Sequence, residues 1–341
     1  MDTFNGRARR PRLAQISPQD LAERARHSPR ANAYLSLERD LVTFVCGNSY
    51  LTFYPHYIGR AAFAVGGVHG PQGEAPGVLR AFREEMTQAG FRHLLFFPVS
   101  RHETDALVRA GFEVRQTGSE AFLDPREYTL SGGRHADLRQ MINRARKRYR
   151  VEAKEIDPTQ WSDGLGRLYK AWMGARPVDH PMRLLVGTPH FEDPLGRRYF
   201  AAFVPDRDDP IAFITLTPGW DGQGWGIDVF ARSPDAPAGA MDLLIYHAIE
   251  TLGAEGVRIF SLGACPLSEE APPEGPVNPL IRAIFRFLYR SRLGNALFPF
   301  RSLTHFKSKF ADHWDPVYMG GWPTMGPWAL YLGCRLWGLF G

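Results

Sequence analysis

Apolar and polar positions follow one another in blocks along the chain, and the first half already shows a complete series. Residues 50–71 are patterned as strand, turn and strand, and residues 73–91 are patterned as a helix. The apolar positions of that helix recur at helical spacing: Val78, Leu79, Phe82 and Met86. Residues 92–100 form a short apolar run, as in a buried strand. This half therefore predicts an antiparallel strand pair, a helix and a buried strand in succession.

The second half repeats the series. Three strand-like segments lie between residues 199 and 232, a helix is predicted over 239–256, and a buried strand over 257–267. This order resembles the acyltransferase fold of the GCN5-related (GNAT) type. We predict an α/β (α+β) protein with two such folds in tandem, each a mixed, mainly antiparallel sheet with flanking helices. A length of 341 residues suits two domains.

A division of the chain follows from these patterns and from its charges. A basic helix is predicted over about 134–148, between the two series. The predicted parts are a basic N-terminal extension, a first GNAT-like domain, a basic bridging helix, a second GNAT-like domain with the catalytic segments, and an aromatic tail: 1–30, 31–133, 134–150, 151–320 and 321–341.

Composition narrows the class of protein. A hydrophobic fraction of 44% is typical of globular proteins. Cys46, Cys265 and Cys334 have no metal or disulfide spacing, which favours a reduced, cytoplasmic setting. The basic N-terminus lacks the apolar region of a signal peptide, and no apolar stretch is long enough to span a bilayer.

The net charge of +5 is concentrated in two places. Residues 134–150 carry seven Arg or Lys against one Asp, and residues 275–311 carry seven Arg or Lys and no acid. Such runs are either solvated helix faces or contacts for a phosphate-rich partner, for which nucleic acid and anionic lipid fit equally well. The candidate phosphate-binding residues are Arg139, Arg144, Arg146, Lys147, Arg148, Arg282 and Arg286.

An acyl-coenzyme A donor is disfavoured by the turn before the second predicted helix. GNAT enzymes grip the pyrophosphate there with the backbone N–H groups of a glycine-rich turn. Residues 231–242 contain one glycine, Gly239, and two prolines, Pro234 and Pro237, which have no N–H to donate. The donor should therefore be another strongly anionic molecule, and no cofactor is expected.

Four segments resemble one family in the correct order, the cytosolic synthase domain of the phosphatidylglycerol lysyl- and alanyl-transferases (multiple peptide resistance factors). They are "GFEVRQTGSEAFLDPREYTLSGGRHADLRQMINRARKR", "IDVFARSPDAPAGAMDLLI", "SLGACPLS" and "LTHFKSKFADHWDPVYM". The resemblance covers roughly 35–320. It implies transfer of an amino acid from aminoacyl-tRNA to the hydroxyl of a membrane lipid, phosphatidylglycerol or a related glycerolipid. It also implies a cytoplasmic enzyme peripheral on the inner face of the plasma membrane.

The chain departs from the family pattern in two respects. Where the family has Asp-Leu-Met-Arg, this chain has Asp228, then Val and Phe, and Ala231 in place of the arginine. Arg232 is one position further on, which in a strand places it on the opposite face. The membrane-spanning half of the full-length family is also expected to be absent, so stand-alone relatives are the nearer comparison.

Asp228, Lys307 and Lys309 are the candidate catalytic residues. Asp228, expected at the end of a buried strand, would hold the donor's ammonium group or assist proton transfer; otherwise it is a cap or turn residue. If residues 302–310 form a strand, Lys307 and Lys309 share one face, either solvated or lining an anion pocket. Both match the family's closing lysines, which implies stabilisation of the reaction centre. Possible substrate-pocket residues are Glu120, Arg232 and Asp242.

Three further points stay open at this level. His305 and His313 show no metal-ligand spacing, and no metal site is predicted. The aromatic tail is either a core helix or a segment in the membrane interface. Two rival functions remain: an aminoacyl-tRNA-dependent ligase acting on a soluble amine or peptide, and a degenerate GNAT-like fold that only binds RNA or lipid.

Overall fold

The computed structural model describes residues 13–14, 16–175, 184–274, 279–297 and 299–336. Its first half contains β1 (Leu13–Ala14), α1 (Pro18–Arg26), β2 (Val42–Cys46), β3 (Ser49–His56), β4 (Ala61–His69), α2 (Ala75–Gln88), β5 (His93–Val99), α3 (Arg101–Arg109) and β6 (Glu113–Leu123). The predicted strands and helix of this half are confirmed. Val78, Leu79, Phe82 and Met86 are indeed the buried face of α2.

The second half begins with the basic helix, which is confirmed as an α-helix over Ala136–Asn143 and an adjoining π-helical turn, Arg144–Arg148. Its elements are α4 (Ala136–Asn143), β7 (Glu152–Ile156), α5 (Ser162–Gly174), β8 (Arg198–Phe203), β9 (Ala212–Gly219), β10 (Gly224–Arg232), α6 (Ala240–Ala254), β11 (Ile259–Pro266), α7 (Pro279–Arg290), α8 (Arg292–Leu297), α9 (Phe300–Ser308), β12 (His313–Trp322) and α10 (Pro327–Leu336).

All these strands join one continuous sheet in the order β1-β2-β3-β4-β5-β12-β6-β11-β10-β9-β8-β7. Its pairs are antiparallel except β4 with β5 and β10 with β11. In each half a meander leads through one helix, α2 or α6, into a parallel strand. The mixed α/β class with a mainly antiparallel sheet and a repeated GNAT-like order is therefore confirmed. The domain division stays a prediction; β12, from the range of the second domain, pairs with β5 and β6.

The sheet is covered on both faces. Along β5, Leu94 and Phe96 pack under α2 and α3, whereas Leu95 and Phe97 face the opposite side, where α10 packs. This alternation follows from the two-residue period of a strand. In the second half, α4 and α6 cover one large core, and α5 covers a smaller one.

The strand considered for residues 302–310 is wrong, because α9 occupies residues 300–308. The alternation of lysine and phenylalanine suggested a period of two, but the buried residues are Phe300, Thr304 and Lys307. Their spacing of four and three is that of one helix face. Lys307 and Lys309 therefore do not share a face, and their surroundings differ completely.

The C-terminal helix α10 has one buried and one exposed face, so the tail is partly core, and its location in the membrane interface stays a prediction. In α10, Ala329 and Leu332 are buried against the core, whereas Trp328 and Tyr331 are exposed. Residues 337–341, and residues 1–12 and 15 of the predicted N-terminal extension, lie outside the described residues. No helix within the described ranges has both the length and the apolar character needed to cross a bilayer.

Candidate active site

Strands β10 and β11 stop pairing in the middle of the second half. Their last parallel partners are Gly226 and Ser261. Just beyond, each strand changes register against its other neighbour, β10 between Ile227 and Phe230, and β11 between Ser261 and Gly263. Such bulges bend a strand and re-aim its side chains. The result is an opening between two strands that are paired up to that point.

The side chain of Lys307 lies in this opening. It is 5% exposed, and its Nζ donates to the carbonyl oxygen of Ala264 at 3.0 Å. A Cβ atom built on Gly263, whose φ is +84°, would lie 3.2 Å from Nζ and 3.4 Å from the carbonyl oxygen of Ile227. The ammonium group is thus held between β10 and β11, in a place where glycine leaves it room.

Glu120 is the charge partner of Lys307. It lies on β6 and accepts a hydrogen bond from Ser261 Oγ at 2.5 Å, and Ser261 Oγ in turn accepts from the N–H of Gly263 at 2.9 Å. Burial raises the pKa of Glu120, while Ser261 and Lys307 oppose that shift. Burial likewise lowers the pKa of Lys307, while Cys265 and Glu120 favour its charged form. Environments that move the pKa of an acid and a base in these directions are typical of functional sites.

Asp228 lies inside β10, at the bulge, and not at the end of the strand as expected. Its Oδ1 accepts a hydrogen bond from the N–H of Gly187 at 2.8 Å, and its Oδ2 is 3.8 Å from Nε of Arg197. A Cβ atom on Gly187 would fall 2.2 Å from Oδ2, so the loop can approach the carboxylate only because residue 187 is glycine. Burial raises the pKa of Asp228, and Arg197 and the Gly187 N–H lower it.

Arg197 is the residue that the sequence analysis missed. Its side chain is fully buried, 5.2 Å from the ring centroid of Tyr34, yet its three guanidinium nitrogens have no hydrogen-bond partner among the described residues. Oδ2 of Asp228 also has no hydrogen-bond partner among the described residues. Since buried polar atoms are almost always hydrogen-bonded, both groups retain capacity for a polar ligand. The one signal in the sequence was the pair Arg197–Arg198 just before a predicted strand. Adjacent residues of a strand face opposite sides of the sheet, so one of two adjacent arginines could be directed inward.

A second carboxylate adjoins this pair. Glu38 accepts hydrogen bonds from the N–H of Thr188 at 2.6 Å and from its Oγ1 at 2.7 Å. Burial raises the pKa of Glu38, Asp228 raises it further, and Arg197 lowers it. Arg197 also contributes, after burial, to a lowered pKa of about 4 for His190, which is therefore neutral near pH 7. The cluster thus contains one arginine and two carboxylates that influence one another.

Comparison with known proteins assigns the family. The family described as phosphatidylglycerol lysyltransferase, C-terminal, matches residues 19–320. The chain belongs to this family. A phosphatidylglycerol lysyltransferase of Bacillus subtilis is 25% identical over 285 residues, 80% of this chain and 31% of that protein. The bifunctional lysylphosphatidylglycerol biosynthesis protein LysX of Mycobacterium leprae is 28% identical over 221 residues, 62% of this chain and 18% of that protein.

Solved structures of the family share the fold. The C-terminal DUF2156 domain of a putative lysylphosphatidylglycerol synthetase from Agrobacterium fabrum superposes with a TM-score of 0.74 at 22% identity, covering 93% of this chain and 96% of the other. L-PGS from Bacillus licheniformis gives 0.73 at 21% identity, with coverage of 93% and 95%. This chain spans about a third or less of the two sequence relatives named above, and nearly all of these two solved structures.

Within this lysyltransferase-family fold, the predicted site residues separate into three groups. Lys307 and Glu120 act on each other electrostatically at the opening, and Asp228 lies beside Arg197 at the bulge in β10. Lys309 instead forms an ion pair with buried Asp242, with Nζ 2.9 Å from Oδ1. This pair ties the end of α9 to the first turn of α6. Arg232 is exposed at the end of β10 beside buried Ala231, and no contact of the described residues joins it to Asp228.

The predicted phosphate-binding residues are also of several kinds. Arg139 donates to the carbonyl oxygens of Leu130 and Gly132 and thus serves the local fold. Arg282 and Arg286 both lie within 3.5 Å of Glu269, so their charge is partly neutralised. The exposed basic side chains of the π-helical turn stay available: Arg144, Arg146, Lys147 and Arg148. Of these, Arg146 has a nearby acid, Glu250, at 3.5 Å.

Proposed function

We propose that this chain is an aminoacyltransferase that moves an amino acid from aminoacyl-tRNA to the hydroxyl of a membrane lipid, phosphatidylglycerol or a related glycerolipid. The observation that carries the proposal is the buried ammonium group of Lys307 in the opening between β10 and β11. Membership of the family supports the class of acceptor, since relatives are named for lysyl transfer to phosphatidylglycerol. The enzyme would act in the cytoplasm, peripheral on the inner face of the plasma membrane.

The reaction requires little beyond orientation and charge. The acceptor oxygen attacks the ester carbonyl carbon of the donor, the bond from that carbon to the ribose oxygen breaks, and the acceptor's proton passes to the ribose oxygen. Lys307 would stabilise the negative charge that develops on the carbonyl oxygen. Asp228 would hold the donor's ammonium group through its unsatisfied Oδ2, and Arg197 would fix the orientation of Asp228.

The start of α6 favours aminoacyl-tRNA over acyl-coenzyme A as the donor. Gly239 precedes α6 in a left-handed conformation, and a Cβ atom there would lie 2.2 Å from the carbonyl oxygen of Met141 in α4. The helix terminus that would otherwise bind a pyrophosphate is therefore packed against another helix. The basic turn that follows α4 would then contact the phosphates of the tRNA.

Transfer of label from tRNA to lipid tests the proposal. The purified protein would be mixed with tRNA charged with radioactive amino acids and with phosphatidylglycerol vesicles, and the lipid would be extracted. We expect label in the lipid phase, and a decrease of about a hundredfold or more for Lys307→Met, because one electrostatic donor to the oxyanion has this effect in other enzymes. Lys170→Met, which removes an exposed lysine of α5, serves as the matched control.

Two results would overturn the proposal. Label that leaves tRNA only for a water-soluble amide or peptide would indicate the soluble-amine ligase. Unchanged charged tRNA after incubation with every acceptor would indicate a binding protein without transferase activity. Wild-type turnover in Lys307→Met would remove Lys307 from the mechanism while leaving the reaction in place.

A further inference from the structure

Large apolar side chains are exposed at one corner of the molecule. In the turn between β3 and β4, Ile58 is 97% exposed and Tyr57 is 58% exposed. On the outer face of α10, Trp328 is 55% exposed and Tyr331 is 40% exposed. Scattered apolar side chains on a surface are ordinary, but grouped ones mark a binding surface.

The turn and the helix are in contact, so the two sets of side chains form one surface. A Cβ atom on Gly59 would lie 3.2 Å from Cδ2 of Leu332, which α10 directs inward. The rings of Trp328 and Tyr331 stack on each other with centroids 5.2 Å apart, one helical turn along the outer face. We call this surface, formed by residues 57–60 and the outer face of α10, the corner patch.

The segments that form the corner patch carry positive charges only. Residues 41–73 and 316–336 contain no aspartate or glutamate. Glu113 reaches the residues before α10, where it accepts a hydrogen bond from the N–H of Met325 at 2.7 Å, and it is paired with Arg115. Arg60, in the turn, and Arg335, one turn after Tyr331, are both exposed. Segments that combine Trp, Tyr and Ile with arginine are complementary to the interface of an anionic bilayer, where aromatic rings lie at the headgroups and basic side chains are attracted to the lipid charge.

We propose that the corner patch docks this protein on an anionic bilayer, with the β3–β4 turn and α10 entering the interface together. This inference rests on the proposed function, since a lipid acceptor has to be reached in its membrane. A bilayer is favoured over a second copy of the chain because a self-contact would bring Arg60 and Arg335 of both copies together without acids from either segment. Two anchoring elements also fit the rule that one weak anchor seldom gives stable membrane binding.

Vesicle sedimentation tests the corner patch. The intact protein and the double variant Ile58→Ser/Trp328→Ser would be spun with equimolar phosphatidylglycerol and phosphatidylcholine, and with pure phosphatidylcholine. We expect the intact protein to prefer the anionic vesicles. The double variant should bind these vesicles at least about tenfold more weakly. The control is Val108→Ser. Val108 is 59% exposed on α3, which packs on the opposite face of the sheet from α10.

A second assay separates docking from catalysis. The rate of transfer to a short-chain phosphatidylglycerol, used below its critical micelle concentration, should be equal for the intact protein and the double variant. This acceptor is dissolved as single molecules, so the enzyme reaches it without docking on a bilayer. Vesicle binding that the double variant loses, in a protein that transfers to neither lipid, would support the corner patch and refute the proposed function. Equal vesicle binding by the double variant would overturn the corner patch alone. So would light scattering that shows a dimer broken by the same substitutions, which would make the surface an interface between copies.

Discussion

Each half of the sheet carries a bulge just beyond the last residues of its parallel strand pair, and the two bulges are used differently. In the first half, β4 pairs with β5 as far as Ala64, and the bulge in β4 contains Gly66 and Gly67. In the second half, β10 pairs with β11 as far as Gly226, and the bulge places Asp228 and Val229 opposite Thr215. The same topology therefore offers the same irregular point twice.

The first bulge is closed by a complete ion pair. Arg30 donates to the carbonyl oxygen of Gly66 from Nε at 3.2 Å and from a terminal nitrogen at 2.9 Å. Its other terminal nitrogen is 2.8 Å from Glu103. A Cβ atom at Gly67 would lie 2.1 Å from both side chains, so the pair fills the space that glycine leaves. This bulge has its polar atoms satisfied and serves stability.

The second bulge contains the same types of group without complete pairing. Asp228 and Arg197 stand 3.8 Å apart, and both keep unsatisfied atoms. The comparison shows how one backbone feature serves either purpose: where the ion pair is completed, it holds the fold together, and where it is left incomplete, it can bind a polar ligand. Removal of the carboxylate should therefore cost more stability at the first bulge and more activity at the second.

The largest expected effect tests this contrast between the two bulges through protein stability. Glu103→Gln should lower the free energy of unfolding by about 3 kcal/mol, because it leaves Arg30 as an unpaired buried charge. Asp228→Asn should lower it by less, because Arg197 has no hydrogen bond to Asp228 to lose and Glu38 remains as a second carboxylate that acts on it. Burial also raises the pKa of Asp228, so its ionised form costs stability progressively as the pH rises from the ordinary aspartate pKa to the raised one, and asparagine removes that cost. Urea denaturation at pH 7 measures both.

Transfer activity supplies the other half of this test. Asp228→Asn should abolish transfer to lipid, whereas folded Glu103→Gln should retain it. If Asp228→Asn is the less stable of the two variants, the second bulge is structural like the first, and the contrast between them is lost.

The sequence predicted most of the framework on which this contrast depends. The helices α2 and α6 were predicted from their helical patterns, and the strands β5 and β11 from short, largely apolar runs that follow these helices. The opening at Lys307 was not found as such, because a buried lysine on α9 breaks the rule that charged residues are exposed. Read as helix, the buried positions Phe300, Thr304 and Lys307 keep the correct spacing.

Arg197 illustrates a different limit of sequence reasoning. It lies in a turn before β8, next to Arg198, which forms surface ion pairs with Glu155 and Glu255. Nothing in the local pattern distinguishes the fully buried arginine from its partly buried neighbour, because the burial of Arg197 depends on Tyr34 and Asp228, which are distant in sequence. Contacts of this kind are set by tertiary structure and cannot be predicted from periodicity.

A smaller effect should sharpen the role of that arginine. Arg197 lowers the pKa of Asp228 against the effect of burial, so Arg197→Met should raise that pKa. If Asp228 acts as the carboxylate, activity then needs a higher pH, and the acid limb of the pH profile of kcat/KM should move upward by about one unit. Arg197→Lys should move it less, since a positive charge remains.

Arg198→Met provides the matched control for that pH profile. It removes the neighbouring arginine, whose partners are surface carboxylates, and should leave the acid limb in place. A profile that is identical in Arg197→Met and the intact protein would show that Asp228 does not titrate in the step being measured.

The smallest expected effect concerns the surfaces beside the two halves. Gly73 and Gly77, near the start of α2, have open space around them, whereas Gly239 at the start of α6 packs on α4. Because the turn 144–148 directly follows α4, it lies beside the start of α6. Lys147→Glu should weaken tRNA binding a few-fold and reduce the slope of log affinity against log salt by about one, because one phosphate contact is lost. Filter binding between low and physiological salt measures this slope. Lys170→Glu, the same charge reversal on α5, should change neither quantity. If both variants bind tRNA alike, the turn 144–148 is a solvated surface. The two halves would then differ at their bulges but not in tRNA binding.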